Sequence, residues 1–261
     1  VLFGSQAAGI AEVPAALMKA FDLREVHVVE AVDNLHEFIA HLGSLREASG
    51  KRHSTIAVVP DSLAWDENWV RAAFGVVGKK RSPEGLTGVV FLGDDSSALG
   101  WARASDHIRE RLGESLVESA LAPWSQDMVR VWMEYCQLGN VDSDSEREAL
   151  QKSTGFWTQP LNNLAVRCYG QPHRWRELVD EAPDPVISVP AQVGAVMELL
   201  REFGEPITEE DLNTVADGIP TETVSLALVW GDLMGYVLPA GGSRWQIAPG
   251  LSAVMSQGAD E

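Results

Sequence analysis

The sequence predicts an α/β fold: a parallel sheet covered by helices, followed by a helical segment and then a compact unit of three helices and a hairpin. Three observations predict it. From residue 1 to about residue 122, short β-rich runs alternate with stretches of helical periodicity, the order that builds a parallel sheet with both faces covered. Between Pro123 and about Pro185 the strands disappear. From about Pro190 to Gly258, three helical stretches precede two β-prone runs around Gly241-Gly242.

The elements follow in order. Val1-Leu2-Phe3 ends at Gly4 and has the look of the tail of a buried strand, so the natural polypeptide is expected to extend further toward the N-terminus. A helix is expected over Glu12–Phe21, a strand over Glu25–Val29, and a helix from an Asp33 cap to about Leu45. Thr55-Ile56-Ala57-Val58-Val59 is a continuous apolar strand ending at Pro60-Asp61, with a helix over Glu67–Val77. Gly88–Gly93 is the next strand, a helix runs from about Ser97 to Leu112, and Ser115–Leu121 is expected to hold a last short strand. Ser125 can cap a helix running through Leu138, and Ser145-Glu146-Arg147-Glu148 has the spacing of a capping box. Gly170–Pro190, rich in proline and aromatics, reads as a connection. Val193–Phe203 is helical, Thr208 caps a second helix, Pro220 suits the first turn of a third, and Gly235–Ile247 reads as a hairpin. Three helices and a hairpin make the winged-helix pattern. The expected divisions are residues 1–122, 123–189 and 190–261.

The 261 residues are 45% hydrophobic and 22% charged, the composition of an ordinary globular protein. No apolar run is long enough to span a bilayer, and a cytoplasmic location is expected. Cys136 and Cys168 sit in apolar and aromatic sequence, which favours buried small hydrophobes over ligands. A formal charge of -18 repels phosphate backbones and anionic membranes at long range.

Gly4-Ser5-Gln6-Ala7-Ala8-Gly9-Ile10-Ala11 has the glycine spacing of a phosphate-binding loop, G-x-x-x-x-G-K-[ST]. Such a loop wraps phosphates in backbone amides, while its lysine bridges the terminal phosphates and its hydroxyl holds magnesium. Here Ile10 stands in the lysine position and Ala11 in the hydroxyl position. The loop follows a strand and opens a helix, and Asp61 ends a later strand where a magnesium-holding carboxylate is placed in active enzymes. The plainer reading is a strand-to-helix turn that needs glycine for close packing.

Through this loop, the Asp61 strand and the Gly88–Gly93 strand, the chain resembles the STAND branch of AAA+-like P-loop ATPases: a P-loop NTPase-like core, an α-helical lid and a winged helix. Leu121-Ala122-Pro123-Trp124-Ser125 is similar to the family's passage into the lid. Thr154–Leu161 is similar to its Gly-x-Pro segment, and the resemblance implies that Pro160 lies near the nucleotide base. The departures are Ile10, Ala11, Ser62 where an acid would activate water, and Asp94-Asp95 where the family has a polar or basic sensor. Two carboxylates there would repel a terminal phosphate. With those parts missing, no catalytic residue is assigned. The expected cofactor is none, with weak ATP or ADP binding as the alternative.

The resemblance then implies a regulatory, catalytically degenerate module in bacterial signalling or antiphage defence. Its expected partners are proteins: further domains or copies of itself. The alternatives are a nucleotide switch that holds ATP or ADP through backbone amides and a winged-helix DNA-binding regulator. Against DNA, the presumed recognition helix, Thr221–Met234, has no basic residue, and beyond Arg176 the only ones are Arg201 and Arg244. That helix is apolar on more than one face, which marks a helix covered by protein. Val224, Ala227 and Leu228 are expected to face the three-helix core, and Leu226, Val229, Trp230 and Leu233 to form a second packing or interaction face. No histidine pair has metal spacing, His27 reads as a satisfied strand residue, and Asp142–Glu146 lacks the glycine and final glutamate of a calcium loop. No metal site is expected.

Overall fold

A computed structural model of the chain describes residues 1–5, 8–20, 26–30, 32–48, 54–77, 85–139, 143–180, 189–248 and 251. The fold is α/β, as the sequence predicts. The chain divides into two compact units, residues 1–3 with 10–119 and residues 4–9 with 120 onward.

The first unit is built on a five-stranded sheet. Its strands are β1 (Leu2–Phe3), β2 (Val26–Val28), β3 (Ser54–Val59), β4 (Gly85–Gly93) and β5 (Ser119–Ala120), in the order β2-β3-β4-β1-β5. The β1–β4, β2–β3 and β3–β4 pairs are parallel. Ala57, Val58 and Val59 are fully buried, which is why the central strand reads as an uninterrupted apolar run. β2 is an edge strand, so His27 is exposed rather than a buried structural residue.

The connecting helices are α1 (Val13–Ala20), α2 (Leu35–Ala48), α3 (Glu67–Val77) and α4 (Asp95–Leu112). The expected Asp33 cap is held by its neighbour: Asn34 Oδ1 accepts from the Glu37 amide at 3.1 Å, and Glu37 Oε2 accepts from the Asp33 amide at 3.1 Å. Both residues suit an N-cap, and the sequence does not choose between them. An aromatic core fills the unit, with Phe38 and Trp69 ring centroids 4.6 Å apart and Trp65 and Phe91 5.2 Å apart. Gly93 is required where this core meets the sheet, since a Cβ there would lie 2.7 Å from the Phe3 ring.

In the second unit, α5 (Gln126–Tyr135), α6 (Asp144–Thr154), α7 (Thr158–Cys168) and α8 (Trp175–Asp180) enclose one apolar core that includes Trp132, Met133, Leu150, Leu161 and Leu164. Cys168 lies in that core, where burial raises its thiol pKa. Ser125 caps α5, its Oγ accepting from the Met128 amide. The capping-box expectation at Ser145 is displaced by two residues: α6 begins at Asp144 behind Ser143. Asp142 of the calcium-loop comparison lies outside the described residues.

The chain continues with α9 (Ala191–Phe203), β6 (Ile207–Thr208), α10 (Glu209–Val215), α11 (Thr221–Leu233), β7 (Val237–Pro239) and β8 (Arg244–Ile247). The expected hairpin is present. Its turn is made by Gly241, Gly242 and Ser243, all at positive φ. A third strand unread in the sequence, β6, pairs with β8 to give an antiparallel sheet in the order β6-β8-β7. Two residues are too short for alternation to show. Pro220 precedes α11 as its N-cap rather than sitting in its first turn.

Candidate functional site

The loop after β1 is closed on itself. Ser5 is buried, and the Ala8 amide donates to both its carbonyl oxygen, at 3.1 Å, and its Oγ, at 3.2 Å. That amide is spent within the loop and is not directed at an anion. Gly9 has φ +81°, a conformation that glycine adopts without strain. Gly4 has a packing reason: a Cβ there would lie 2.9 Å from the Leu121 side chain. Ile10 is 6% exposed, so the lysine position is taken by an apolar anchor, and Ala11 is exposed without a hydroxyl. Gln6 and Ala7 lie outside the described residues.

Asp61 opens a single 3-10 turn, Asp61–Leu63, directly beyond β3. Its Oδ1 accepts from the Asp94 amide at 3.1 Å and from Ser97 Oγ at 2.6 Å. Asp94, beyond β4, caps α4 by accepting from the Ser96 and Ser97 amides at 2.9 and 3.0 Å. The carboxylates therefore pin the ends of two adjacent strands to the first turn of α4. Burial raises the Asp61 pKa, Asp94 adds to the rise, and the hydrogen bonds from Ser97 and Asp94 oppose it. Burial also pushes Asp94 upward, but the hydrogen bonds from Ser97 and Ser96 outweigh it and hold its pKa below the ordinary value. The environment therefore shifts the two carboxyls in opposite directions, Asp61 upward and Asp94 downward.

These groups do not fit a magnesium-bound triphosphate. A magnesium-holding carboxylate is needed ionised, whereas burial here disfavours the charge of Asp61 and its Oδ1 already serves the Asp94 amide and Ser97 Oγ. The loop lacks the cation and hydroxyl that complete such a site. Among the described residues, no group of three or more His, Cys, Asp or Glu could hold a metal ion.

Pro160 lies in the first turn of α7, half-buried, just after Trp157. Trp157 is fully buried, and its Nε1 has no hydrogen-bond partner among the described residues. The same holds for Oε1 of Gln159. Sequence reading singled out the proline and missed this donor and acceptor, because burial without a partner is a tertiary property. Trp230 is also fully buried, 5.4 Å from the Tyr236 ring, and Tyr236 is 5.6 Å from Trp157. Leu233 is buried, and Leu226 and Val229 are half-buried.

No family model matches the chain, and no curated protein matches it. The chain is similar to solved structures of Thermotoga maritima RuvB variants. One has 12% identity and a TM-score of 0.41, covering 95% of this chain and 83% of the other. A second has 11% identity and a TM-score of 0.41, covering 95% and 84%. The α/β assignment rests on the strand order and pairing themselves.

Proposed function

We propose that this chain is a regulatory, catalytically degenerate module of the AAA+-like ATPase fold, of the STAND type. It acts by packing against proteins rather than by hydrolysing nucleotide. The observation that carries this reading is the closed loop: the Ala8 amide turned onto Ser5, with Ile10 buried beyond Gly9. The engaged Asp61 carboxylate supports it. In this reading residues 190–261 form a winged helix used for protein packing, and the module serves in the cytoplasm in bacterial signalling or defence. No helix among the described residues is long and apolar enough to cross a membrane.

Isothermal titration with ATP or ADP and magnesium tests the proposal. No micromolar binding is expected, and phosphate release should stay at background. Tight binding would replace this reading with a nucleotide switch. Trp157 Nε1 and Gln159 Oε1, buried without hydrogen-bond partners among the described residues and next to Pro160 in sequence, favour that second reading. In that case Gly9→Trp and Trp157→Phe should each weaken binding.

A further inference from the structure

Two helices of the second unit end at one cavity. α5 stops at Tyr135 and α7 at Cys168. Between these ends lies a cavity of about 690 Å³, lined by Tyr135, Cys136 and Gln137 on one side and by Val166, Cys168 and Tyr169 on the other. Its size is that of a small-molecule site. Tyr135 and Tyr169 are 87% and 92% exposed, so two aromatic rings stand in solvent at its rim. Cys136 is half-buried and Cys168 buried.

What the cavity can hold follows from its charge. Among the described residues, no Asp, Glu, His, Lys or Arg lines it. Burial raises the pKa of both thiols, which keeps them protonated and uncharged near neutrality. A hard metal ion therefore meets no carboxylate there, and an anion meets no cation. Arg167, in the last turn of α7, donates to the Leu178 carbonyl at 3.4 Å, toward α8. The charge that remains is the backbone's: each helix C-terminus carries about half a negative charge, and two such ends share this cavity. Tyrosine faces attract cations as well, and so does the chain's charge of -18 at long range. Ala165 and Pro172 make part of the wall aliphatic, which rewards alkyl groups on the cation over a bare, strongly hydrated ammonium.

We propose that the cavity between the ends of α5 and α7 binds an alkylated ammonium group, with the rings of Tyr135 and Tyr169 closing against it. The site uses no residue of the loop after β1 or of the Asp61 turn, so it stands or falls independently of the proposed function. Two probes carry the group: choline as a free molecule, and a capped peptide with one trimethyllysine between alanines as a protein side chain. The control is 3,3-dimethylbutan-1-ol, which has the shape of choline without its charge. In NMR titration of the whole chain, choline should bind saturably and shift the signals of residues 135–137 and 165–170, while the β7–β8 hairpin stays unchanged. The control should bind about ten-fold more weakly. Tyr135→Ala and Tyr169→Ala should each weaken choline binding about two- to five-fold, whereas Tyr135→Phe and Tyr169→Phe keep the aromatic face and should bind like the parent. If an alanine variant is unfolded by circular dichroism, Val166→Lys, at an exposed position of the same wall, replaces it and should abolish binding. Tighter binding of the peptide than of choline assigns the group to a partner's side chain, and the reverse assigns it to a free molecule. Absence of saturable binding by both probes, equal binding of the control, shifts confined to other elements, or alanine variants that bind like the parent would overturn the proposal.

Discussion

Asp61 Oδ1 accepts from the Asp94 amide and Ser97 Oγ, and those two donors decide what substitution does there. Asp61→Ala leaves both without that acceptor and should cost about 1–3 kcal/mol in urea denaturation. Asp61→Asn keeps an accepting oxygen and removes the charge that burial disfavours, so it should be as stable as the parent near neutrality, or more so. The pH dependence has a definite sign. A carboxyl with a raised folded pKa contributes stability below its unfolded value and loses it as pH rises through the folded value. Asp94, with its pKa lowered, contributes above the ordinary value and loses that contribution as pH falls through its folded value. The pair therefore stabilises most in the acid window between the two, and Asp61→Asn should gain on the parent as denaturation is repeated from about pH 4 to about pH 8. If Asp61→Asn instead loses ground with rising pH, the fold requires the ionised form. The Asp61 position was legible as a strand end in sequence. Its partners were not, because Asp94 and Ser97 lie far along the chain and reach it only through the β3–β4 pairing.

At the scale of elements, α11 combines a helical run of apolar residues with a glycine in its last turns. Gly231 is there for contact: a Cβ would meet Val237 Cγ2 at 2.5 Å. Gly231→Ala should therefore destabilise by roughly 1–3 kcal/mol, although alanine is the better helix former. Trp230→Glu buries a carboxylate beside Tyr236 at a fully enclosed position. It should melt α9–α11 and the hairpin at lower temperature and speed their proteolysis, leaving the signal of the parallel sheet largely intact. A variant that melts and digests like the parent would show that the burial of Trp230 contributes no stability. Apolar residues on several faces announced that this helix is covered. Which side chains cover it, Tyr236 among them, depends on the turn at Gly235 that no periodicity encodes.

For the whole molecule the decisive quantity is charge. At -18 the chain repels a polyanion, and Arg201 is paired with Glu198 at 2.6 Å. A mobility-shift assay at low salt, where attraction is least screened, should retain no duplex. A retained band that weakens with Arg244→Ala would restore the DNA-binding alternative.

The sequence by itself determined the α/β class, the order of strands and helices through the first unit, and the hairpin. These follow from local physics: β-branched runs buried on both faces, helical periodicity, and glycines where the backbone turns left-handed. It also determined that Ile10 and Ala11 stand in the Lys and Ser/Thr positions of the loop. Only the tertiary structure decided that the Ala8 amide folds back onto Ser5 and that Asp61 is tied to the start of α4. Each of these is a hydrogen-bond pairing between groups whose separation in space is set by how the strands and helices pack, and pairing of that kind leaves no local pattern in the chain.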